Sequence, residues 1–243
     1  RRVPYTKDST KNTVASKVVD IGEQIGVHIW YPAFRSFGEG IFITFTEGDE
    51  DFPNINNYIN RTKFLNKIQN GAGLNEDAKS IIDAWKAISS WENNNQKEEG
   101  EIVDWSSINR EPLFVWLHTL SHTLIKNISI YAGYNSASIR ERIYVKKDKT
   151  GTVINGGILI YVTSIGSDGG MGGLIQLADV ISDILEKSIE SLTFCSNDPL
   201  CDEKKKEISM KNGAGCHSCL LISETSCEHR NFYLDRHLIT RFR

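Results

Sequence analysis

Apolar residues recur at helical spacings in several parts of the chain. The strongest pattern begins at Pro112 and is apolar nearly all round, which predicts a helix buried on every side. Before it, apolar residues from Ile81 to Trp91 recur at helical spacing. A shorter helix is expected to begin at Asn54, which can cap it, and to end near Gln69.

Strand-like patterns occupy other parts of the chain. Residues 26–31 and 41–46 flank a glycine-containing turn, so we expect them to pair like a hairpin. Residues 156–163 form a continuous apolar run bounded by glycine, which is typical of a buried central strand. A glycine-rich segment follows, and then a helical pattern from Leu174 to Leu185. This order predicts an α/β fold, with a mixed sheet and flanking helices.

Composition narrows the class of protein. The chain has 243 residues, of which 40% are hydrophobic and 24% charged, so it can bury a core without disulfides. The formal net charge of −3 argues against a generally basic nucleic-acid-binding protein and leaves room for local basic patches. Because no apolar run approaches the roughly 18 residues of a membrane span, we expect no membrane partner. The chain does not begin with Met, so we expect it to be a piece of a larger protein.

All the cysteines lie in one short segment near the C-terminus. The five of them fall between Cys195 and Cys227, an odd count that fits a metal site in a reducing cytoplasm better than a secreted disulfide framework. This predicts three parts: an N-terminal arm or linker over residues 1–25, an α/β domain over 26–194, and a four-cysteine zinc module over 195–243.

The spacing of the cysteines predicts a structural Zn²⁺ site. Cys216 and Cys219 form a C-x2-C knuckle, which lets two thiolates reach one tetrahedral ion. The preferred set adds Cys201 and Cys227, and Cys195 is the alternative to Cys201. Weaker substitutes are His217 and His229. Four cysteine ligands leave no open position for a substrate, so the expected role is to hold this loop-rich segment together.

Two histidines lie on one face of the apolar helix. His118 and His122 are four residues apart, a spacing that can present both imidazoles to one metal or phosphate. Thr119 stands where a zinc protease would have Glu, which excludes that class. Two explanations stay open. The histidines are either hydrogen-bonded within the core, or they form a polar site with Arg140 and Glu141.

The glycine-rich segment 166–173 allows two interpretations. It follows a strand and opens a helix, so its amides could bind a phosphate, but it matches neither a dinucleotide-binding nor a Walker A pattern. Close packing of the loop is the other explanation. Asp168 is its one side chain able to act as acid, base or metal ligand. An enzyme of nuclease or phosphodiesterase type is therefore the alternative function, with candidate residues His118, His122, Arg140, Glu141 and Asp168.

A local basic cluster is the best candidate for contact with DNA. It lies on a predicted strand and the turn after it, and comprises Arg140, Arg142, Lys146, Lys147 and Lys149. A solvated strand edge is the alternative explanation, because runs of charge are common on exposed surfaces.

Several motifs occur in a fixed order along the chain. They are Trp30-Tyr-Pro-Ala33, Gly38-Glu-Gly-Ile-Phe42, Leu117-His-Thr-Leu-Ser-His122, Ser138-Ile-Arg-Glu-Arg142, Asp168-Gly-Gly-Met-Gly-Gly173 and the cysteine pattern. The set resembles the C-terminal region of the DrmB family, accessory proteins of the DISARM anti-phage system. It resembles more distantly the zinc-binding C-terminal domain of MrfA-type DNA repair helicases.

The resemblance implies a bacterial intracellular protein that works with a superfamily 2 helicase partner in restricting foreign DNA. It also implies that four cysteines hold zinc. The sequence contains no Walker A or DEAH-type box, so we expect a non-catalytic component that supports DNA binding and assembly.

Overall fold

The protein divides into two compact units. The computed structural model describes residues 3–6, 16–19, 23–31, 37–45, 61–94, 111–164, 172–203 and 212–241. One unit comprises residues 1–36 and 98–104, and the other comprises 37–97 and 105–243. The domain boundaries predicted at residues 25 and 194 stay predictions.

The first unit contains two small antiparallel sheets. β1 (Val3–Thr6) pairs with β2 (Ser16–Val19), and β3 (Glu23–Ile25) pairs with β4 (His28–Trp30). The expected pairing of residues 26–31 with 41–46 is therefore wrong. A two-residue turn at Gly26, whose φ is 66°, connects β4 to its sequence neighbour β3 instead, and so short a connection costs little closure entropy.

The second unit is built on a three-stranded sheet. Its order is β5 (Phe37–Thr44), β7 (Val153–Ser164), β6 (Ile139–Lys147), and both pairings are antiparallel. The predicted α/β class is confirmed, but this sheet is antiparallel rather than mixed. The reason is the short turn between β6 and β7, where Asp148 accepts hydrogen bonds from the amides of Thr150 and Thr152, because so short a connection permits only antiparallel neighbours.

β7 occupies the central position that its apolar run predicts. Ile158, Ile160 and Val162 are buried on its inner face, whereas Leu159 and Tyr161 are half-buried on the outer face. Alternation along a strand thus gives the sheet one face that packs in the core and one face that is partly open.

Helices pack against the inner face of the sheet and against one another. They are α1 (Arg61–Asn70), α2 (Glu76–Asn94), α3 (Pro112–Ala132), α4 (Gly173–Gln176), α5 (Ile181–Ser191) and α6 (His237–Thr240). α3 is buried continuously from Pro112 to Ile125, as its composition predicts, and it begins with Pro in its first turn. It ends at Gly133, whose φ of 71° favours glycine. None of the described helices is long and apolar enough to cross a membrane.

The C-terminal segment packs into the core of the second unit. Leu220, Tyr233, Leu234 and Leu238 are buried in the same apolar cluster as α3 and β7. The segment is also tied to β6, since the amide of Glu141 donates to the carbonyl of Ser226 at 3.2 Å. These contacts bring the cysteine-bearing loops against α3.

Candidate metal centres

Four cysteine sulfurs converge between α5 and the C-terminal segment. Cys195 Sγ lies 3.5 Å from Cys216 Sγ, Cys219 Sγ lies 3.7 Å from Cys216 Sγ, and Cys201 Sγ lies 3.8 Å from Cys219 Sγ. All four atoms lie within 4.8 Å of one another. A regular tetrahedron around Zn²⁺, with metal–sulfur bonds of about 2.3 Å, has edges of about 3.8 Å. The observed distances therefore fit one tetrahedral ion and exceed a disulfide bond of about 2.05 Å.

The fourth sulfur of this group belongs to Cys195. The preferred set from the sequence contained Cys227 and took Cys195 only as an alternative to Cys201; the structure keeps Cys201, adds Cys195 and places Cys227 in a separate group with two histidines and Glu141. The reason is the path of the C-terminal segment, which directs Cys227 towards α3 and β6. One signal in the sequence favours this arrangement: Cys195 lies near Cys201 and Cys216 lies near Cys219, whereas Cys227 has no cysteine close to it in the sequence.

Hydrogen bonds and burial make the four thiols unequal. Burial opposes ionisation of Cys216, but hydrogen bonds from the Cys219 backbone and the Cys195 thiol lower its pKa to about 6. Burial, together with charge on Cys216, raises the pKa of Cys219 to about 11. Burial also raises the pKa of the Cys201 thiol. The four can become thiolates together only if a cation lies among them.

Two cationic side chains lie beside the four sulfurs. Lys126 Nζ donates to the carbonyl of Cys219 at 2.8 Å, and burial lowers the pKa of Lys126 while the cysteine charges oppose that shift. Arg236 is buried; its desolvation is outweighed by Asp198 and by charge on Cys201, so its pKa is raised. Four thiolates and one Zn²⁺ carry a charge of about −2 in all, which these cations partly balance.

A second group of metal-ligating side chains lies at the centre of the unit. It consists of His118 and His122 on α3, Glu141 on β6, and Cys227 on the C-terminal segment. Their exposed fractions are 0%, 0%, 1% and 6%. His118 Nε2 lies 3.0 Å from His122 Nε2, 2.8 Å from Glu141 Oε1 and 3.3 Å from Cys227 Sγ, and His122 Nε2 lies 3.2 Å from Glu141 Oε1.

Outer contacts orient each of these four side chains. His118 Nδ1 lies 3.3 Å from the carbonyl oxygen of Tyr233, and His122 Nδ1 lies 3.0 Å from that of Leu220. The hydroxyl of Ser121 contacts Glu141 Oε2, and Cys227 Sγ accepts hydrogen bonds of 3.3 Å from the backbone amides of His229 and Asn231. Positive φ angles at Arg230 and Asn231 bend the chain so that these amides reach the sulfur.

The ionisation of this group reflects a local excess of negative charge. Burial alone would lower the pKa of His118, but Glu141 and Cys227 raise it to about 10, and Glu141 also raises the pKa of His122. Burial opposes ionisation of Glu141, yet the two histidines hold its pKa well below its usual range. Hydrogen bonds from both histidines outweigh burial at Cys227 and lower its pKa to about 7.

The structure brings together only part of the candidate enzyme site. His118, His122 and Glu141 meet, whereas Arg140 lies on the opposite, exposed face of β6 because successive residues of a strand alternate between faces. Asp168 lies outside the described residues. The three that meet are enclosed by the core, so a substrate could reach them only if α3, β6 and the C-terminal segment moved apart.

An internal carboxylate occupies the end of the glycine-rich loop. Residues 165–171 lie outside the described part, but Gly172 and Leu174 donate their amides to Glu39 at 2.8 and 3.1 Å. Tyr134 adds a hydrogen bond of 2.5 Å to the same carboxylate. Burial opposes its ionisation, but these hydrogen bonds lower the pKa of Glu39. The amides considered for phosphate binding are thus partly satisfied from within the chain.

The predicted basic cluster divides between two environments. Arg140, Arg142 and Lys146 alternate along the exposed face of β6. Arg142 Nε lies 3.5 Å from Glu228, and Lys147, past an irregularity in the pairing, forms an ion pair with Glu111. Lys149 is exposed in the turn after the strand.

Aromatic residues accompany the arginines on this face, which the sequence analysis did not identify. Phe42 on β5 and Tyr144 on β6 are 54% and 44% exposed, and their rings meet edge to face at 5.8 Å. Tyr161 on β7 stands directly opposite Arg140. Gly157, directly opposite Tyr144, leaves room for this contact, because a Cβ there would lie 2.8 Å from the Phe42 ring. The signal was the two-residue spacing that puts Tyr144 on the same face of β6 as Arg142 and Lys146.

Comparison with known proteins agrees with the site geometry. The family of the MrfA Zn-binding domain matches residues 120–220, a range that includes Cys195, Cys201, Cys216 and Cys219 and leaves out His118. The chain is 33% identical over 222 residues to "DISARM protein DrmB" of Bacillus paralicheniformis. The resemblance to DrmB is confirmed. The match covers 90% of this chain and 34% of that relative, so the chain spans about a third of the relative's length.

Proposed function

We propose that this chain is a non-catalytic, zinc-binding component of a DISARM-like anti-phage defence complex in the cytoplasm. The observation that carries the proposal is the tetrahedral arrangement of four cysteine sulfurs within the range matched by a zinc-binding family. Similarity to a DISARM protein supports the defence role. The five cysteines, none of them in a disulfide, support a reducing compartment.

The proposed zinc ligands are Cys195, Cys201, Cys216 and Cys219. Zinc would supply a structural cross-link rather than a reactive centre, because four protein ligands fill its coordination sphere. Backbone amides next to the cysteines donate hydrogen bonds to the sulfurs. The amide of Asn197 donates to Cys195 Sγ at 3.4 Å, and that of Cys216 donates to Cys219 Sγ at 3.3 Å. Such hydrogen bonds stabilise thiolates and orient them.

The outer face of the sheet is the proposed site of contact with DNA. Exposed Arg140 and Lys146 can bind phosphates, while the ring pair of Phe42 and Tyr144 offers surfaces on which bases can stack. Stacking needs unpaired bases, so a single strand suits this face better than a duplex. Arg142 contributes less, since Glu228 partly neutralises it.

Assembly with a superfamily 2 helicase completes the proposal. Its support is the resemblance of the ordered motifs to accessory proteins that work with such a helicase. Zinc binding and partner binding would be linked if the cysteine loops form part of the shared surface, where Phe194 and Leu200 expose apolar side chains next to the sulfurs.

Metal analysis of purified variants tests the core of the proposal. Cys219→Ser should lose the zinc of the four-cysteine site and loosen residues 195–219, because three ligands do not complete a structural site. Ser218→Ala, an exposed position in the same turn, is the matched control and should keep the metal. Full zinc occupancy in Cys219→Ser would reject the assignment. In cells that carry the defence locus, Cys219→Ser in the full-length protein should also reduce protection against phage, whereas Ser218→Ala should not.

A further inference from the structure

We propose that His118, His122, Glu141 and Cys227 form a second metal site, distinct from the four-cysteine site, that binds a divalent ion of the Zn²⁺ type. The four side chains come from three parts of the second unit: α3, β6 and the C-terminal segment. The proposal does not depend on zinc at the four cysteines, because it rests on a separate set of atoms.

The first argument is that electron-pair donors converge with too few protons between them. Two imidazole nitrogens, a carboxylate oxygen and a sulfur lie within 4.8 Å of one another, buried from water. Lone pairs that face each other in a low-dielectric interior repel, and each unsatisfied one costs about 1–3 kcal/mol. A cation among them removes this cost for all four at once.

The second argument is the orientation of the histidines. Each Nδ1 lies against a backbone carbonyl oxygen, Tyr233 for His118 and Leu220 for His122, and a carbonyl can only accept. Each Nδ1 therefore carries its proton, so the Nε2 of a neutral ring presents a lone pair to the other ligands. Metal-binding histidines commonly make this hydrogen bond to a carbonyl from the nitrogen that does not bind the ion.

The hydrogen bonds to Glu141 and Cys227 also orient these side chains for metal binding. The Ser121 hydroxyl engages Oε2 of Glu141 and leaves Oε1 facing the two histidines. Backbone amides of His229 and Asn231 support a thiolate at Cys227. Each ligand thus has a partner on its outer side and a free electron pair on its inner side, which is the arrangement expected around a bound ion.

A proton is the competing occupant of this space. An imidazolium at His118 could donate its Nε2 proton, but three acceptors surround that atom: His122 Nε2, Glu141 Oε1 and Cys227 Sγ. One proton serves one or two of them. A dication among the four side chains can form a bond with every donor, which one proton cannot.

Ligand chemistry and size favour zinc. Two nitrogens, one oxygen and one thiolate are ligands that Zn²⁺ accepts in a tetrahedron, with edges of about 3.3–3.5 Å. The nitrogen–nitrogen, nitrogen–oxygen and nitrogen–sulfur separations are 2.8–3.3 Å, so the ligands need to move outwards by only a few tenths of an ångström. Four protein ligands in a closed interior make this a structural site.

Metal stoichiometry of the unmodified protein is the first test. The chain purified without chelator should contain two zinc ions, and elemental analysis against protein concentration measures this number. One zinc per chain, with the four-cysteine site filled, would overturn the proposal. Cobalt substitution identifies the ligands, because the intensity of thiolate-to-cobalt charge transfer rises with the number of sulfur ligands.

Variants distinguish this site from the four-cysteine site. Cys227→Ser and His122→Ala should each lower the metal content from two ions to one while the spectrum of a four-thiolate cobalt site persists. Cys219→Ser should remove that spectrum and leave a one-thiolate cobalt site. His229→Ala is the matched control, since its ring packs against His118 but is not among the four ligands, and it should retain both ions. Unchanged metal content in both Cys227→Ser and His122→Ala would also overturn the proposal.

Discussion

Trp85 Nε1 donates a hydrogen bond of 3.0 Å to Oδ2 of Asp235 across 150 residues of sequence. The bond joins α2 to the segment that precedes α6. The other carboxyl oxygen, Oδ1, accepts from the amides of Ala214 and His237 at 3.1 and 3.0 Å. A single buried carboxyl group thus holds a helix and two stretches of the cysteine-bearing segment in one place.

Replacing Trp85 by Phe should destabilise the second unit. The ring stays apolar, but the carboxyl of Asp235 loses a buried partner, which costs about 1–3 kcal/mol. Urea unfolding followed by fluorescence or circular dichroism measures the change. Trp116→Phe is the control, because its buried Nε1 has no hydrogen-bond partner in the part of the chain that the structure describes. Equal losses in the two variants would show that the bond to Asp235 contributes nothing beyond ring volume.

A methyl group at Gly213 should disrupt the same junction. A Cβ there would overlap the carboxyl group of Asp235, which cannot move without breaking its bonds to Ala214 and His237. We expect Gly213→Ala to cost about 1–3 kcal/mol in unfolding free energy. Gly215→Ala is the comparison, because its Cβ would approach the flexible end of Leu220 at 3.3 Å. The prediction fails if Gly213→Ala unfolds at the same urea concentration as Gly215→Ala.

Glu39→Gln should weaken the protein in a pH-dependent way. Hydrogen bonds from Tyr134 and the amides of Gly172 and Leu174 outweigh burial and lower the pKa of Glu39 below its ordinary value of 4.5. A lowered carboxyl pKa stabilises the fold above the unfolded value, and this contribution is lost as the pH falls through the folded value. We expect a deficit of about 1–3 kcal/mol near pH 7 that shrinks below pH 4.5.

Denaturant titrations of Glu39→Gln between pH 7 and pH 3.5 check this dependence. Glu190→Gln, at an exposed position of α5, serves as the control and should show little deficit. A deficit for Glu39→Gln that grows as the pH falls would contradict the ionised role of the carboxyl group.

Charge reversal on the outer face of the sheet should reduce the salt dependence of DNA binding. Arg140→Glu with Lys146→Glu removes two proposed phosphate contacts, so the slope of log affinity against log salt should fall by about 1.4 for a single strand. Affinity is measured by fluorescence anisotropy with a labelled oligonucleotide at several salt concentrations. The control pair, Lys79→Glu with Lys86→Glu on α2, changes net charge equally. Equal slopes for the two pairs would reject this face as the contact.

The sequence correctly predicted the helix and the strand that are buried along most of their length. α3 is buried on nearly every side and β7 is the central strand of its sheet. Their continuous apolar composition is therefore enough to predict that they are buried. The predicted pairing of β4 with residues 41–46 was wrong because the residues of a strand do not determine which other strand it pairs with. A strand can pair with a sequence neighbour through a two-residue turn or with a distant strand, and the positive φ at Gly26 favours pairing with the neighbouring strand β3.

The metal-ligating residues were identified more completely than their grouping. Cysteine spacing indicated which residues could share an ion, but the choice between Cys195 and Cys227 depends on the route of the C-terminal segment. Glu141 meets His118 and His122 only because β6 lies beside α3 in one register, with Glu141 facing inwards. A shift of one residue would have brought Arg140 inwards instead. Such long-range placement is not encoded in local spacing.

The contact between His118 and Cys227 also determines when the second unit can complete its core during synthesis of the chain. The two residues are 109 positions apart, so α3 leaves the ribosome well before its partner does. Until residue 227 has emerged, the histidines and Glu141 stand without the thiol, and the core of the second unit lacks Tyr233 and Leu234 as well. The segment around residue 227 therefore completes the centre of the second unit long after α3 has been made, and until then the interior of that unit is unfinished.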